Sequence, residues 1–272
     1  MKKDLHLFSI PFARAVLIAA FAWTSLYGAS AQEQTSVFGS AGRGESSLIG
    51  ILYDLKQDQQ HKPVAGKFLA VLGQFVREGW DEGILNAFYR ATRPLNTTQV
   101  FIPLMSAEEA PRAFGVQDIM QPRQWVIHYK GQVRPPHPGT YRFVGLSDDL
   151  LAAAVNGKTV LLAEHPGSRL QNHGWRDSPR DGIQTPSGPA VSGDWFSVGE
   201  NEVIDLDVLV GERPGSLFGA WLMVEEQGVK YDRDRAEKPI APVFQLSQNP
   251  VPSGRVPESR PSRPDEIWKG VR

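Results

Sequence analysis

Between residues 99 and 226 the chain is a succession of short apolar-rich segments in which like side chains recur at every second position, separated by Gly, Pro and Asn. The segments are Val100–Met105, Gln124–Tyr129, Thr140–Gly145, Leu151–Val155, Thr159–Ala163, Asp194–Val198, Glu202–Val210 and Ser216–Val224. A period of two sends alternate side chains to opposite faces of a strand. Many such strands with frequent turn residues predict a mainly β fold, an antiparallel sandwich or barrel. Asn156-Gly157 stands between two of the runs and predicts a two-residue hairpin, because a type I′ turn needs positive φ at both central positions. In Glu202–Val210, Ile204, Leu206, Val208 and Val210 share one face, while Asp205 and Asp207 share the other with Val203 and Leu209. One face should be buried and the other wet.

Upstream the period is helical. Phe68, Val71, Leu72, Phe75 and Val76 recur at helical spacing, and Ile84, Leu85, Phe88 and Tyr89 repeat it. Two amphipathic helices with a break near Gly79 are predicted within 64–95, the second capped by Asp81 and followed by Pro94. Leu48–Tyr53 suits a first strand. Before it, residues 32–47 are rich in Gly, Ser and Gln and read as a flexible leader. Glu164–Gly193 is a long loop carrying His165, His173, Trp175, Arg176, Arg180 and Asp181, and loops of that length are usually functional or disordered. After Gly228 the periodicity ends, and residues 229–272, with six prolines from Pro242 to Pro264, read as an extended tail.

Composition narrows the classes. The 272 residues make one large domain or two small ones, and 41% hydrophobic content with 26 glycines excludes a largely disordered chain. Lys+Arg 29 against Asp+Glu 30 leaves no basic field for a polyanion, so nucleic acid is not an expected partner. The absence of cysteine excludes disulfides, thiolate metal sites and a cysteine nucleophile. Lys2, Lys3 and Arg14 precede an apolar run from Ala15, which ends in Ala29-Ser30-Ala31 before Gln32. These are the three parts of a secretory signal peptide over 1–31, and the run falls short of the ~20 residues a spanning helix needs. Its removal leaves 26 basic against 29 acidic residues. A secreted, periplasmic or cell-surface protein with no transmembrane segment after cleavage is expected.

The block Tyr129–Leu162 resembles the core of the PA14 domain family. A strand ends in Gly131, Pro138-Gly139 precedes Tyr141-x-Phe143, and Ser147-Asp148-Asp149 leads into a strand, the Asn156-Gly157 turn and a further strand. Gly199–Glu202, the acidic strand over 202–210 and Leu217–Leu222 are similar to that family's closing strands, so the resemblance spans roughly 48–228, with 64–95 as a helical insertion. It implies a β-sandwich exported to cell surfaces, frequently attached to glycosidases, adhesins and toxins and often binding carbohydrate. In the family's adhesin members the adjacent aspartates, joined by a cis peptide, bind Ca²⁺, which takes two sugar hydroxyls. Asp148 and Asp149 are the positions that carry over; the remaining ligands do not align.

From the residues alone, two uses of the pair stay open. Consecutive carboxylates converge on one hard cation only where the backbone departs from a strand, and Ca²⁺ tolerates such irregular shells of ~6–8 oxygens. The same pair can equally cap a loop by accepting from its amides. Trp175 and Trp195 are candidates to stack on a sugar ring, although tryptophans more often fill cores. The six histidines show no HExxH or other ligand spacing, and His128 within a strand suits a face or core residue. No Gly-x-Ser-x-Gly elbow or P-loop is present. The resulting expectation is a non-catalytic module that binds carbohydrate or envelope glycan through Asp148, Asp149 and Trp175, with Ca²⁺ on the two aspartates. The alternatives are a structural component of the cell envelope that contacts a protein partner through the tail or helices, and a glycan-active enzyme with its acid and base in the 164–193 loop.

Overall fold

The computed structural model describes residues 36–175 apart from 43, 45 and 66, then 180–185, 188–233, 239–250, 252 and 259–271. The expected signal segment, 1–31, lies outside these. The strands are β1 (Leu48–Asp54), β2 (Tyr89–Arg90), β3 (Leu95–Thr97), β4 (Phe101–Ser106), β5 (Trp125–Arg134), β6 (Gly139–Ser147), β7 (Leu150–Val155), β8 (Lys158–Glu164), β9 (Arg180–Thr185), β10 (Gly188–Ser192), β11 (Phe196–Val198), β12 (Ile204–Glu212), β13 (Leu217–Glu226) and β14 (Lys269–Val271). Three helices join them, α1 (Phe68–Arg77), α2 (Glu82–Leu85) and α3 (Glu109–Ala113).

Two antiparallel sheets result. One runs β2-β1-β5-β12-β7-β8, with β3 also on β1 and β14 also on β5; the other runs β4-β13-β6-β10-β9, with β11 also on β6. The expected sandwich is therefore present. Its main core is the inter-sheet layer, built by the alternate residues Trp125, Ile127 and Tyr129 of β5 and Leu206, Val208 and Val210 of β12, facing Tyr141 and Phe143 of β6 and Phe218, Ala220 and Leu222 of β13. At the β7–β8 hairpin, Val155 pairs with Lys158 across Asn156 (φ 51°) and Gly157 (φ 73°), the backbone signs a type I′ turn requires.

Helix α1 lies on the outer face of the larger sheet. Phe68, Leu72, Phe75 and Val76 pack against Val126, Leu150, Ala152, Ala154 and Leu209. That cover explains β7, whose Leu-Leu-Ala-Ala-Ala-Val shows no alternation because both of its faces are buried. It also changes the expected wet face of β12, where Asp207 Oδ1 accepts from Nε2 of buried His128 (2.7 Å) beneath the rings of Phe75 and Trp80. The second helix is shorter than its periodicity suggests. Asp81 caps it by accepting from Gly83 N (2.9 Å), but Tyr89 leaves to pair with Asp54 of β1. The long loop crosses α1 at Gly73, where a Cβ would stand 1.8 Å from the Gln171 carbonyl oxygen.

Among the described residues after 228, the chain is not an extended tail. Residues 242–246 line the length of β13 that β4 leaves open, with Val224 N donating to Pro242 O and Phe244 N to Leu222 O, both at 3.0 Å. β14 extends β5 beyond the end of β1. Trp268, 1% exposed, sits between the sheets against Tyr141, Phe143, Phe196 and Phe244. Burying so large an aromatic outweighs ordering the segment, and an edge position tolerates proline because its outer side needs no N–H donor. The leader is also partly built in. Phe38 is buried and accepts from Tyr129 OH (2.9 Å), and Ser40 pairs with Asn96.

Candidate cation site

Asp148 and Asp149 are the two residues by which the chain crosses from one sheet to the other, between the end of β6 and the start of β7. Strand alternation lapses at such a corner. Both sheets pin it: Asp148 N donates to Gly219 O of β13 (2.9 Å), and Asp149 O accepts from His165 N just past β8 (2.8 Å). No cis peptide bond occurs among the described residues, so the two aspartates are joined in trans, unlike the arrangement the resemblance implies.

The corner brings in a third carboxylate that the sequence reading did not single out. Ligand oxygens of Asp148, Asp149 and Glu212 all lie within 4.8 Å of one another. Glu212 ends β12 and is fully buried, Asp149 is 3% exposed, and Asp148 is half-buried, so the cluster opens to solvent through Asp148. The signal for Glu212 was the parity of β12. It continues the inward series Ile204, Leu206, Val208 and Val210, where a carboxylate is out of place unless something meets it.

The three acids differ in what they hold. Asp149 accepts from Ser168 Oγ at Oδ1 (2.5 Å) and from Arg213 N at Oδ2 (2.7 Å). Glu212 Oε1 accepts from Gly215 N (2.5 Å), whereas Oε2 is buried with no partner among the described residues. The Asp148 carboxylate makes no hydrogen bond among the described residues, and its side is the open one. Burial, then the negative charges of Asp149 and Asp148, push the Glu212 carboxyl up to about 8. Burial and then Asp149 also raise Asp148, against the opposing charge of His165. Three carboxylates this close require a compensating cation, or a proton held on one of them.

Oxygen-only donors in an irregular corner suit a hard divalent cation, and the unpartnered Oε2 of Glu212 is the atom such an ion would satisfy. Trp175 is placed elsewhere, half-buried against the cluster under α1, with its backbone N donating to His173 Nδ1 (3.1 Å). Of the other loop residues, Arg176 lies outside the described residues, as do the side chains of Arg180 and Asp181.

No family model matches the chain, and no curated protein does. Among solved structures it is similar to the PA14 sugar-binding domain of an RTX adhesin, at 14% identity and a TM-score of 0.43, over 70% of this chain and 94% of that one. It is also similar to the PA14 domain of the MpAFP antifreeze protein, at 14% identity and 0.41, over 69% and 87%. The A domain of epithelial adhesin 6 from Candida glabrata, solved in complex with Galβ1-3GlcNAc, matches at 11% identity and 0.40, over 83% and 92%.

Proposed function

We propose that this chain is an exported, non-catalytic carbohydrate-binding module whose glycan site is built on a Ca²⁺ ion held by Asp148, Asp149 and Glu212. The observation that carries the reading is the buried Oε2 of Glu212, without a partner among the described residues, within a trio of carboxylates and beside an Asp148 carboxylate that likewise makes no hydrogen bond among them. These residues would hold the ion, and the ion would supply open coordination positions for sugar hydroxyls. Ca²⁺ takes ~6–8 oxygens, more than three side chains supply, so hydroxyls and water complete its shell. Asp149, fixed through Ser168 and Arg213, orients the site; Asp148 forms its outer lip. Residues 1–31 act as the signal peptide, and exported material should begin at Gln32 on N-terminal sequencing.

Titration of Ca²⁺ into chelator-treated protein should release heat and raise the melting temperature, because a ligand that binds the folded state alone stabilises it by RT ln(1 + [L]/Kd). Asp148→Asn is the cleaner probe, since that side chain has no hydrogen bond to lose. It should abolish the shift without lowering metal-free stability, since it also removes one of three repelling charges. A glycan array should then give Ca²⁺-dependent signals. Absence of heat and of any shift removes the ion from the reading.

One observation favours the structural alternative. Both oxygens of Asp149 already accept from the surrounding turns, which ties β7 to β12 whether or not an ion is bound. A Ca²⁺-dependent rise in stability with a blank glycan array would identify the corner as a staple of an envelope component.

A further inference from the structure

Where the C-terminal segment closes over the sandwich it leaves a cavity of about 170 Å³, bounded by β6, β13 and residues 263–268. The cavity is remote from the acidic corner. Its Glu226 pairs with Tyr141, seven residues before Asp148 and about 23 Å away at strand rise. Glu226 follows Phe218, Ala220, Leu222 and Val224 on the inward parity of β13. Its carboxylate lies over Gly139 beside the Tyr141 ring, where a Cβ on that glycine would stand 3.1 Å from Oε1 and 3.2 Å from the ring. It accepts no hydrogen bond among the described residues, and His137 Nε2 stands 3.4 Å from Oε2.

Three aromatic residues, Tyr141, Tyr231 and Trp268, line the same cavity. Each is held in place, which lowers the ordering cost of a ligand that packs on it. Tyr141 OH donates to His137 O and Tyr231 OH accepts from Glu226 N, both at 2.7 Å, and Trp268 is buried. The other charges of the lining cancel. Both oxygens of Glu266 accept from Arg260 (2.5 Å each), and exposed Arg263 and Asp265 are of opposite sign. With histidine neutral, Glu226 is left as the uncompensated charge among these residues. A carboxylate set among aromatic rings attracts a cation, since the ring faces are themselves negative. Val224 and Pro242 add apolar wall, which suits a methylated ammonium, whose charge is spread over C–H surface that needs no acceptor, better than one with three N–H donors to satisfy. A cavity of ~150 Å³ holds benzene, so this one suits about six heavy atoms, the size of a trimethylammonium head and roughly half that of a pyranose.

We propose that this cavity is a second, metal-independent site, one that takes a small quaternary ammonium head against Glu226 and the rings of Tyr141, Tyr231 and Trp268. The test titrates the full chain in EDTA with choline, with its uncharged isostere 3,3-dimethyl-1-butanol and with ethanolamine, following heat. Choline should bind, and the isostere and the primary amine should bind at least tenfold more weakly. Glu226→Gln should weaken choline tenfold or more at an unchanged melting temperature, since that carboxylate holds no hydrogen bond among the described residues. Tyr231→Leu should weaken it as well, while Tyr231→Phe should keep most of the affinity, which separates the ring from the bond its hydroxyl makes to Glu226 N. Cosedimentation with phosphatidylcholine vesicles, lost in Glu226→Gln, would assign the head to a lipid; choline binding without cosedimentation would assign it to a free solute. Absence of heat with choline, equal affinity for the uncharged isostere, or choline binding that survives Glu226→Gln overturns the proposal.

Discussion

Glu212 carries the largest electrostatic cost in the molecule's acidic corner, and that cost has a definite pH signature. Its folded pKa of about 8, raised mainly by burial and then by Asp149 and Asp148, lies above its ordinary value of 4.5. The folded state therefore binds more protons than the unfolded chain between those values. The stability it contributes is fully present below 4.5 and is lost as pH rises through 8. Urea unfolding in EDTA should accordingly give a lower midpoint at pH 8.5 than at pH 5. Glu212→Gln, neutral at both, should flatten that slope and raise the midpoint at pH 8.5. Asp149 behaves differently, because Asn there would turn an NH₂ toward either Ser168 Oγ or Arg213 N. Asp149→Asn should lose about 1–3 kcal/mol at every pH, read from the same denaturation curves. Of this trio the adjacent aspartates were legible through their resemblance and position between strands. Glu212, more than sixty residues away, showed only as a carboxylate on an inward parity.

At the scale of elements, local chemistry was readable wherever it was also decisive. Asn156 and Gly157 both adopt positive φ, and Asn156 is further tied across the sheet, its N donating to Asp205 O and its Oδ1 accepting from Asp205 N (both 2.8 Å). Gly157→Val forces a β-branched residue into the left-handed region and should cost at least about 1–2 kcal/mol, measured by urea unfolding with unchanged near-ultraviolet dichroism. The helix α1 was equally legible from its stripe, since Phe68, Leu72, Phe75 and Val76 all end buried. Elements decided by partners elsewhere were not. Tyr89 continues a helical spacing yet pairs with Asp54, because an open edge of β1 satisfies its backbone where another helical turn would leave that edge bare. Likewise β9 and β10 arise inside the stretch read as a loop, where β10 completes the edge of β6 at Gly145 and Val144.

For the molecule as a whole, the sandwich is closed by its last thirty residues, and composition hid this. Proline, serine and arginine over 241–272 describe a solvated tail, but the chain supplies what the two sheets lack. Residues 242–246 occupy the open length of β13, fully buried Gln245 accepts from Ser262 N (2.9 Å) and Trp268 N (3.0 Å), and Arg260 pairs through both terminal nitrogens with Glu266. These bonds are few and lie at an edge. What makes them hold is Trp268, whose ring meets four aromatic side chains drawn from β6, β11 and the strap itself. A single Trp among prolines carries no period, so no pattern along the chain could assign it to the core. Trp268→Ala should empty a site that the sheets cannot collapse to fill and cost about 3–5 kcal/mol, seen as a lower denaturation midpoint. Trp268→Phe should recover a large part of that loss, since it restores most of the aromatic contact. Deleting residues 229–272 should do worse than either, exposing the edge of β13 together with the inter-sheet pocket, and the product should aggregate or bind a hydrophobic dye as no point variant does. A truncated chain that unfolds cooperatively at the full-length midpoint would return the domain boundary to residue 228 and leave the segment an appendage.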